Sequence, residues 1–239
     1  MKMKKVADGL RYEDKYIVTR SQIELLKCRI EGICCQDDFA DNRGSYNIRS
    51  LYFDDYAGNS YRDNENGTDP RSKFRIRIYN CSDDKIFLEN KIKIGGKIRK
   101  DRAVVTREFC ERLLENRGEG IIPDENETIN RFLIAWETRM LRPRLMIEYD
   151  REPYICQEAG VRITFDKNIS FSGDVKNFFK ENILMQPVME AGKELLEVKY
   201  QEFLPHYIYQ MMNQANLQRS TFSKFYICES CRRKGGYAI

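Results

Sequence analysis

Histidine is almost missing from this chain. Its 239 residues include one, His206, alongside one tryptophan and six prolines. With a lone histidine, a zinc or redox site would have to be built almost wholly from cysteine. The eight cysteines, Cys28, Cys34, Cys35, Cys81, Cys110, Cys156, Cys228 and Cys231, include one CxxC, and no second pair stands at zinc spacing. The reading for Cys228 and Cys231 is therefore that of small residues on a C-terminal helix, and His206 is given no chemical role. Apolar runs stay far below the ~20 residues of a membrane helix, so direct membrane insertion is excluded and any membrane link would have to come through a partner protein. The polar start, Met1–Leu10, does not read as a secretory leader, which makes reduced thiols and a cytoplasmic location the expectation. Nucleotide-binding loops are absent too. Gly95-Gly96-Lys97 lacks both the leading glycine and the Ser/Thr of a P-loop, and no GxGxxG opens a helix. The net charge is only +4 and no block of like charge forms an arm, so if cations matter here, their arrangement matters more than their number.

What is present is alternation. Period-two patterns predict strands over Arg11–Val18, Ile48–Phe53, Lys73–Asn80, Lys85–Ile94, Lys97–Val105, Arg144–Pro153, Gly160–Asp166 and Glu194–Tyr200. Gly95-Gly96 reads as a hairpin turn, and Cys-Ser-Asp-Asp as the turn before it. Helices are expected over Arg20–Cys35, with Ile23, Leu26, Ile30 and Ile33 on one face, and over Thr106–Arg117 and Glu127–Arg139. Further helices are expected at Gly173–Asn182, Pro205–Leu217 and Ser223–Arg232, with loops at Asp54–Pro70 and Gly118–Asp124. No linker or repeat divides the chain. The expectation is one domain over 1–239, of α+β class: a closed antiparallel eight-stranded β-barrel tunnel with flanking helices.

The chemistry lies in what alternates. Side chains two apart on a strand share a face. Arg11, Glu13 and Lys15 do so, as do Lys73, Arg75, Arg77 and Tyr79, opposite Phe74, Ile76 and Ile78. Glu89, Lys91 and Lys93 form another set, Lys100 and Arg102 another, and Tyr149 with Arg151 another. Arg162, Thr164 and Asp166 follow, then Glu197 with Lys199. Each alone could be a solvated face. Together they are rich in Arg and Lys, and the helices can cover the apolar faces, which turns the charged faces inward. An interior of that kind calls for water, paired carboxylates and a densely negative guest, held by side-chain forks rather than by a loop.

The segments Arg11-Tyr-Glu-Asp-Lys15-Tyr, Ser50-Leu-Tyr-Phe-Asp54, Lys73-Phe-Arg-Ile-Arg-Ile-Tyr79, Leu88-Glu-Asn-Lys91, Tyr149-Asp-Arg151, Val161-Arg162-Ile-Thr-Phe-Asp166, Leu196-Glu197-Val-Lys199 and Phe222-Ser-Lys-Phe225, taken in order, resemble the VTC domain. That is the polyphosphate polymerase domain of the vacuolar transporter chaperone complex, a branch of the triphosphate tunnel superfamily. The resemblance implies ATP as phosphoryl donor, polyphosphate as product, and Mn2+ or Mg2+ as cofactor. It implies phosphate contacts from Lys15, Arg75, Arg77, Lys91, Lys100, Arg151, Arg162, Lys199 and Lys224, with Tyr149 and Ser223 as secondary contacts; Arg102 joins them by sharing the face of Lys100. Lys15, Arg75, Arg77, Lys91 and Arg162 are the expected catalytic set, and Glu197 with Glu13 the expected metal ligands. Where hydrolases of the superfamily carry ExExK, this chain has Arg11, Glu13 and Lys15; one carboxylate has become a cation, which favours transfer over hydrolysis. A tunnel phosphohydrolase and a non-catalytic polyphosphate sensor remain as alternatives. A nucleic-acid partner is not expected, because the aromatics alternate mainly onto apolar faces. The fungal proteins resembled here carry a regulatory SPX domain and membrane helices, and this chain shows neither.

Overall fold

A computed structural model describes residues 9–37, 40–42, 44–118 and 125–235. The chain begins with β1 (Tyr12–Thr19), α1 (Arg20–Ile30), β2 (Cys35–Gln36), β3 (Tyr46–Asp54) and α2 (Asn59–Glu65). β4 (Arg71–Tyr79), β5 (Ser82–Ile94), β6 (Lys97–Val105), α3 (Arg107–Leu114) and α4 (Glu127–Thr138) follow. The remainder is β7 (Arg142–Cys156), β8 (Val161–Ser172), β9 (Gln186–Pro187), β10 (Lys193–Tyr200), α5 (His206–Gln214) and α6 (Lys224–Arg233). Eight antiparallel strands run in the order β1-β10-β8-β7-β3-β4-β5-β6, with β2 added beside β7 and β9 beside β8. No helix of the described residues is long and apolar enough to cross a membrane.

The expected closure is corrected. The sheet is an open, curved one, and its edge strands β1 and β6 do not form a ladder. They approach at one bridge, where Arg11 and Ile98 exchange hydrogen bonds of 3.0 and 2.8 Å. Further along, the free edge of β1 is taken by another segment: Ser220 N–H donates to the Lys15 carbonyl at 2.7 Å, and Tyr16 bridges to Arg219. Over that stretch the edge faces Arg219 and Ser220 instead of β6.

Two apolar layers cover the convex side. Leu51, Phe74, Ile76 and Leu88 pack under Leu113, Phe132 and Trp136 of α3 and α4. Val18, Ile163, Phe165 and Val198 pack under Leu26 of α1 and Ile208 and Met212 of α5. A third cluster sits on the opposite, concave side, where Ile48, Tyr52, Leu145, Ile147 and Phe171 enclose Phe225 and Cys228 of α6. Part of the inner space is therefore filled by a helix, which the image of an all-charged tunnel did not contain.

Several local expectations are also revised. Asp54–Pro70 is not all loop, because the Asp54 carboxylate accepts from the backbone N–H of Ser60 at 2.8 Å and Asp55 accepts from that of Asn59 at 2.9 Å, which starts α2. The first hairpin turns at Asn80-Cys81, both with positive φ, rather than at Cys-Ser-Asp-Asp. Gly173–Asn182 holds only a 3-10 turn, Val175–Asn177. The buried guanidinium of Arg49 takes the carbonyls of Phe178, Lys180 and Glu181 and so ties this segment to the sheet. α1 stops at Ile30, and Ile33 is exposed. Cys35 pairs with Ile155, which sets Cys34 beside Cys156; the two form a disulfide, so the thiols are not all reduced. Apart from Gly118, the loop expected at Gly118–Asp124 lies outside the described residues.

Candidate anion-binding site

Ion pairs between strands far apart in the sheet locate the concave face. Lys91 of β5 donates to Glu13 of β1 at 2.8 Å, although five strands separate them along the sheet. Strand alternation delivers the rest. Arg75 lies opposite Glu89 on β5 and Tyr52 on β3, Lys15 opposite Glu197, Lys199 opposite Arg162, and Arg151 opposite Asp166. The charged faces thus converge inward, as the sequence pattern requires.

Three acidic hubs organise the cations. Glu89 is completely buried and accepts from Arg75 Nε and Lys100 Nζ, each at 2.8 Å, with Arg77 at 3.9 Å. Glu13 accepts from Lys91 and stands 3.2 Å from Lys15. Glu197 accepts from Lys199 at 2.7 Å, Lys224 at 2.8 Å and Arg151 at 3.2 Å; beside it, Asp166 takes both forks of Arg151 at 2.7 and 2.8 Å. Burial by itself would raise these carboxyl pKa values, but the adjoining Lys and Arg charges outweigh it and hold all four below the usual range.

Positive charge exceeds negative in this space. Lys15, Lys73, Arg75, Arg77, Lys91, Lys100, Arg151, Lys199 and Lys224 bring nine cationic groups against four carboxylates, Glu13, Glu89, Asp166 and Glu197. The cost shows in the lysines. Burial pulls Lys199 down to about 7, and Lys91 and Lys100 to about 8, despite their carboxylate partners. Lys224 is the exception: burial lowers its pKa, but Asp166 and Glu197 more than compensate and raise it. Two donors on this face have no hydrogen-bond partner in the protein, Arg162 Nε and the fully buried Thr164 hydroxyl. Unmet donors and surplus cations are the chemistry by which such a face can take an anion with several charges.

Most residues singled out from the sequence meet here. Arg77 is steadied by Ser50 Oγ and the Tyr149 hydroxyl, each at 3.1 Å, and the Tyr149 ring lies under Lys224 at 4.6 Å. Arg162 sits at the rim, half exposed, on Asp37 at 2.6 Å and Tyr46 at 3.0 Å. Arg102 is exposed at the rim over the Phe87 ring. Ser223 is engaged as the N-cap of α6, its hydroxyl accepting from Tyr226 N–H. Cys228 and Cys231 bury their side chains in the inner apolar cluster, and His206 lies exposed at the start of α5 beside Gln210. Sequence reasoning placed Glu89 and Asp166 on the right faces but did not give them their organising part. Their signal was there: each is the acidic member of a cationic alternating set.

A divalent ion has no ready-made cage, since no three His, Cys, Asp or Glu side chains group as a metal site among the described residues. The Lys15 ammonium, however, lies between Glu13 Oε1 at 3.2 Å and Glu197 Oε1 at 3.7 Å, a cation already standing between two carboxylates. A pair of carboxylates fits Mg2+ or Mn2+ when phosphate oxygens complete the shell.

Comparison with known proteins agrees with this architecture. The profile of the VTC domain matches residues 10–231. No curated protein matches the sequence significantly. Among solved structures, a protein from Bacillus halodurans provisionally assigned as an adenylate cyclase superposes with a TM-score of 0.54 at 11% identity, covering 90% of this chain and 94% of its own. The PH1819 protein from Pyrococcus horikoshii OT3 superposes with a TM-score of 0.50, also at 11% identity, covering 92% and 98%. At such identity both speak for the fold alone.

Proposed function

This chain belongs to the VTC domain family, and we propose that it is a polyphosphate polymerase, moving the γ-phosphate of ATP onto a growing polyphosphate chain along its concave basic face. The observation that supports the reading is the surplus of buried cations over carboxylates, in a space that side chains from both sheet edges share.

In this reading the protein supplies position and charge. Phosphoryl transfer needs little else from a protein, and no side-chain nucleophile. Arg75 and Arg77, oriented by Glu89, Tyr52, Ser50 and Tyr149, present their remaining N–H groups to the β and γ phosphates. Lys91 and Lys15 neutralise charge on the β1 side, Arg162 receives the acceptor chain at the rim, and Lys199, Arg151 and Lys224 line the path past Glu197. Glu197 and Glu13 would hold a Mn2+ or Mg2+ ion that arrives with the triphosphate, and such an ion supplies Lewis-acid neutralisation of phosphate oxygens. In this reading the preference for transfer over hydrolysis comes from the first strand, where Arg11, Glu13 and Lys15 stand in place of the ExExK of the superfamily's hydrolases and one carboxylate has become a cation.

The test is purified protein with ATP and Mn2+. Polymer resolved on a gel and sensitive to exopolyphosphatase is the expected product. Orthophosphate release without polymer would make the protein a phosphohydrolase, and binding without turnover would make it a sensor. Glu197→Gln is expected to reduce polymer formation at least 100-fold, on the order of one lost charge-stabilising group, while leaving polyphosphate binding in place.

A further inference from the structure

One cation in the hollow of the concave face lacks the carboxylate partner that its inner neighbours have. Lys73 shares the face of Arg75 and Arg77 on β4 and stands opposite Lys91 on β5. Lys15, Arg75, Arg77, Lys91 and Lys100 each have a carboxylate within 4.0 Å; among the described residues Lys73 is in no such ion pair, and its strand neighbour Arg71 donates to the Thr68 carbonyl at 2.8 Å. Its ammonium donates to Asn64 Oδ1 of α2 at 3.1 Å and lies 5.0 Å from the centre of the Phe225 ring of α6. The charges that face it are Arg71 on its own strand, Lys91 on β5 and Lys15 on β1, with Asp54 at the end of β3 as the weaker counter-charge. Burial, then those three cations, pulls its pKa to about 7. An ammonium has three donors, and here one is matched.

We propose that Lys73, with Lys91 facing it and Arg71 beyond, forms a separate subsite beneath α2 and α6 that takes the terminal phosphate of a linear oligophosphate. The inference rests on the reading of this face as a polyphosphate site and adds a chain-length requirement to it. Along a strand, ~3.3 Å per residue puts Lys73 roughly 7 Å from Arg75 and roughly 13 Å from Arg77. One phosphate cannot touch both ends of that row. A chain of three or more can, so Lys73 discriminates by length.

Calorimetric titration of wild type and Lys73→Met with pyrophosphate and tripolyphosphate at pH 7 tests this. The expected result is a loss of tripolyphosphate affinity of about tenfold in the variant, with pyrophosphate changed less than about twofold; Lys73→Arg should restore the difference. Equal loss for both ligands, or no loss for either, overturns the subsite while leaving the polyphosphate site standing. A wild type that binds neither ligand overturns both. A measurement on the unaltered protein runs in parallel: the Lys73 ε-carbon resonance is expected to titrate with a higher pKa when tripolyphosphate is bound, and an unmoved pKa refutes the contact. Lys73→Met should melt no lower than wild type, because it removes an unmatched charge.

Discussion

Glu89→Gln is the sharpest perturbation of this site. Glu89 is completely buried, with Arg75 Nε and Lys100 Nζ at 2.8 Å and Arg77 at 3.9 Å. The amide keeps the shape and removes the one charge that all three cations share. Breaking a buried ion pair on one side costs ~3–5 kcal/mol, because the remaining charges stay desolvated. For a chain of this length ~1 kcal/mol moves the melting temperature by about 2–4 °C, so the variant should melt on the order of 10 °C lower. Saturating tripolyphosphate supplies the missing negative charge. At 100 times Kd a ligand stabilises by ~2.7 kcal/mol, and the gain should be larger in Glu89→Gln than in wild type, because its three cations have lost their internal partner. Thermal unfolding with and without tripolyphosphate measures both quantities. The pH dependence has a defined sign. The Glu89 pKa is depressed in the folded protein, so its stabilisation is complete above the unfolded value of ~4.3 and fades as pH falls toward the folded value. The gap between wild type and variant should therefore close at low pH. A variant that melts within about 2 °C of wild type near neutral pH, with no extra response to the anion, would refute the view of Glu89 as the hub of an overcharged cavity.

Proton uptake should accompany anion binding at pH 8. Lys73 and Lys199 are pulled to about 7, and Lys91 and Lys100 to about 8, all chiefly by burial, and a bound polyanion pushes each back up. Titrations in buffers of different ionisation enthalpy should show at least one proton taken up per tripolyphosphate, and fewer at pH 6. The same depressed values make the unliganded protein gain stability from these groups as pH rises from about 7 toward the unfolded lysine value, a trend that saturating tripolyphosphate should flatten. Arg49→Met should destabilise by ~3 kcal/mol or more in urea unfolding, since it strands Glu148 and three carbonyls that the buried guanidinium serves.

The strand pattern was legible because it is local chemistry. Period-two alternation at Lys73–Tyr79, Glu89–Lys93 and Arg162–Asp166 assigns faces without reference to partners. Hidden features depended on groups distant in sequence. α2 within Asp54–Pro70 hangs on carboxylates that cap it, the carbonyls after the 3-10 turn at Val175–Asn177 are held by Arg49, more than a hundred residues earlier, and the edge of β1 is met by Ser220.

The amino-acid order by itself determined which side chains share a face, and so that this protein would have a row of Arg and Lys opposed to a row of aliphatic residues. Only the tertiary structure decided that the sheet stays open, that α6 occupies part of its hollow, and which carboxylate answers which cation. The reason is physical. Facing follows from the backbone's two-residue repeat, whereas charge pairing follows from distances across the hollow of the sheet, and those are set only once its curvature and the last helix are in place.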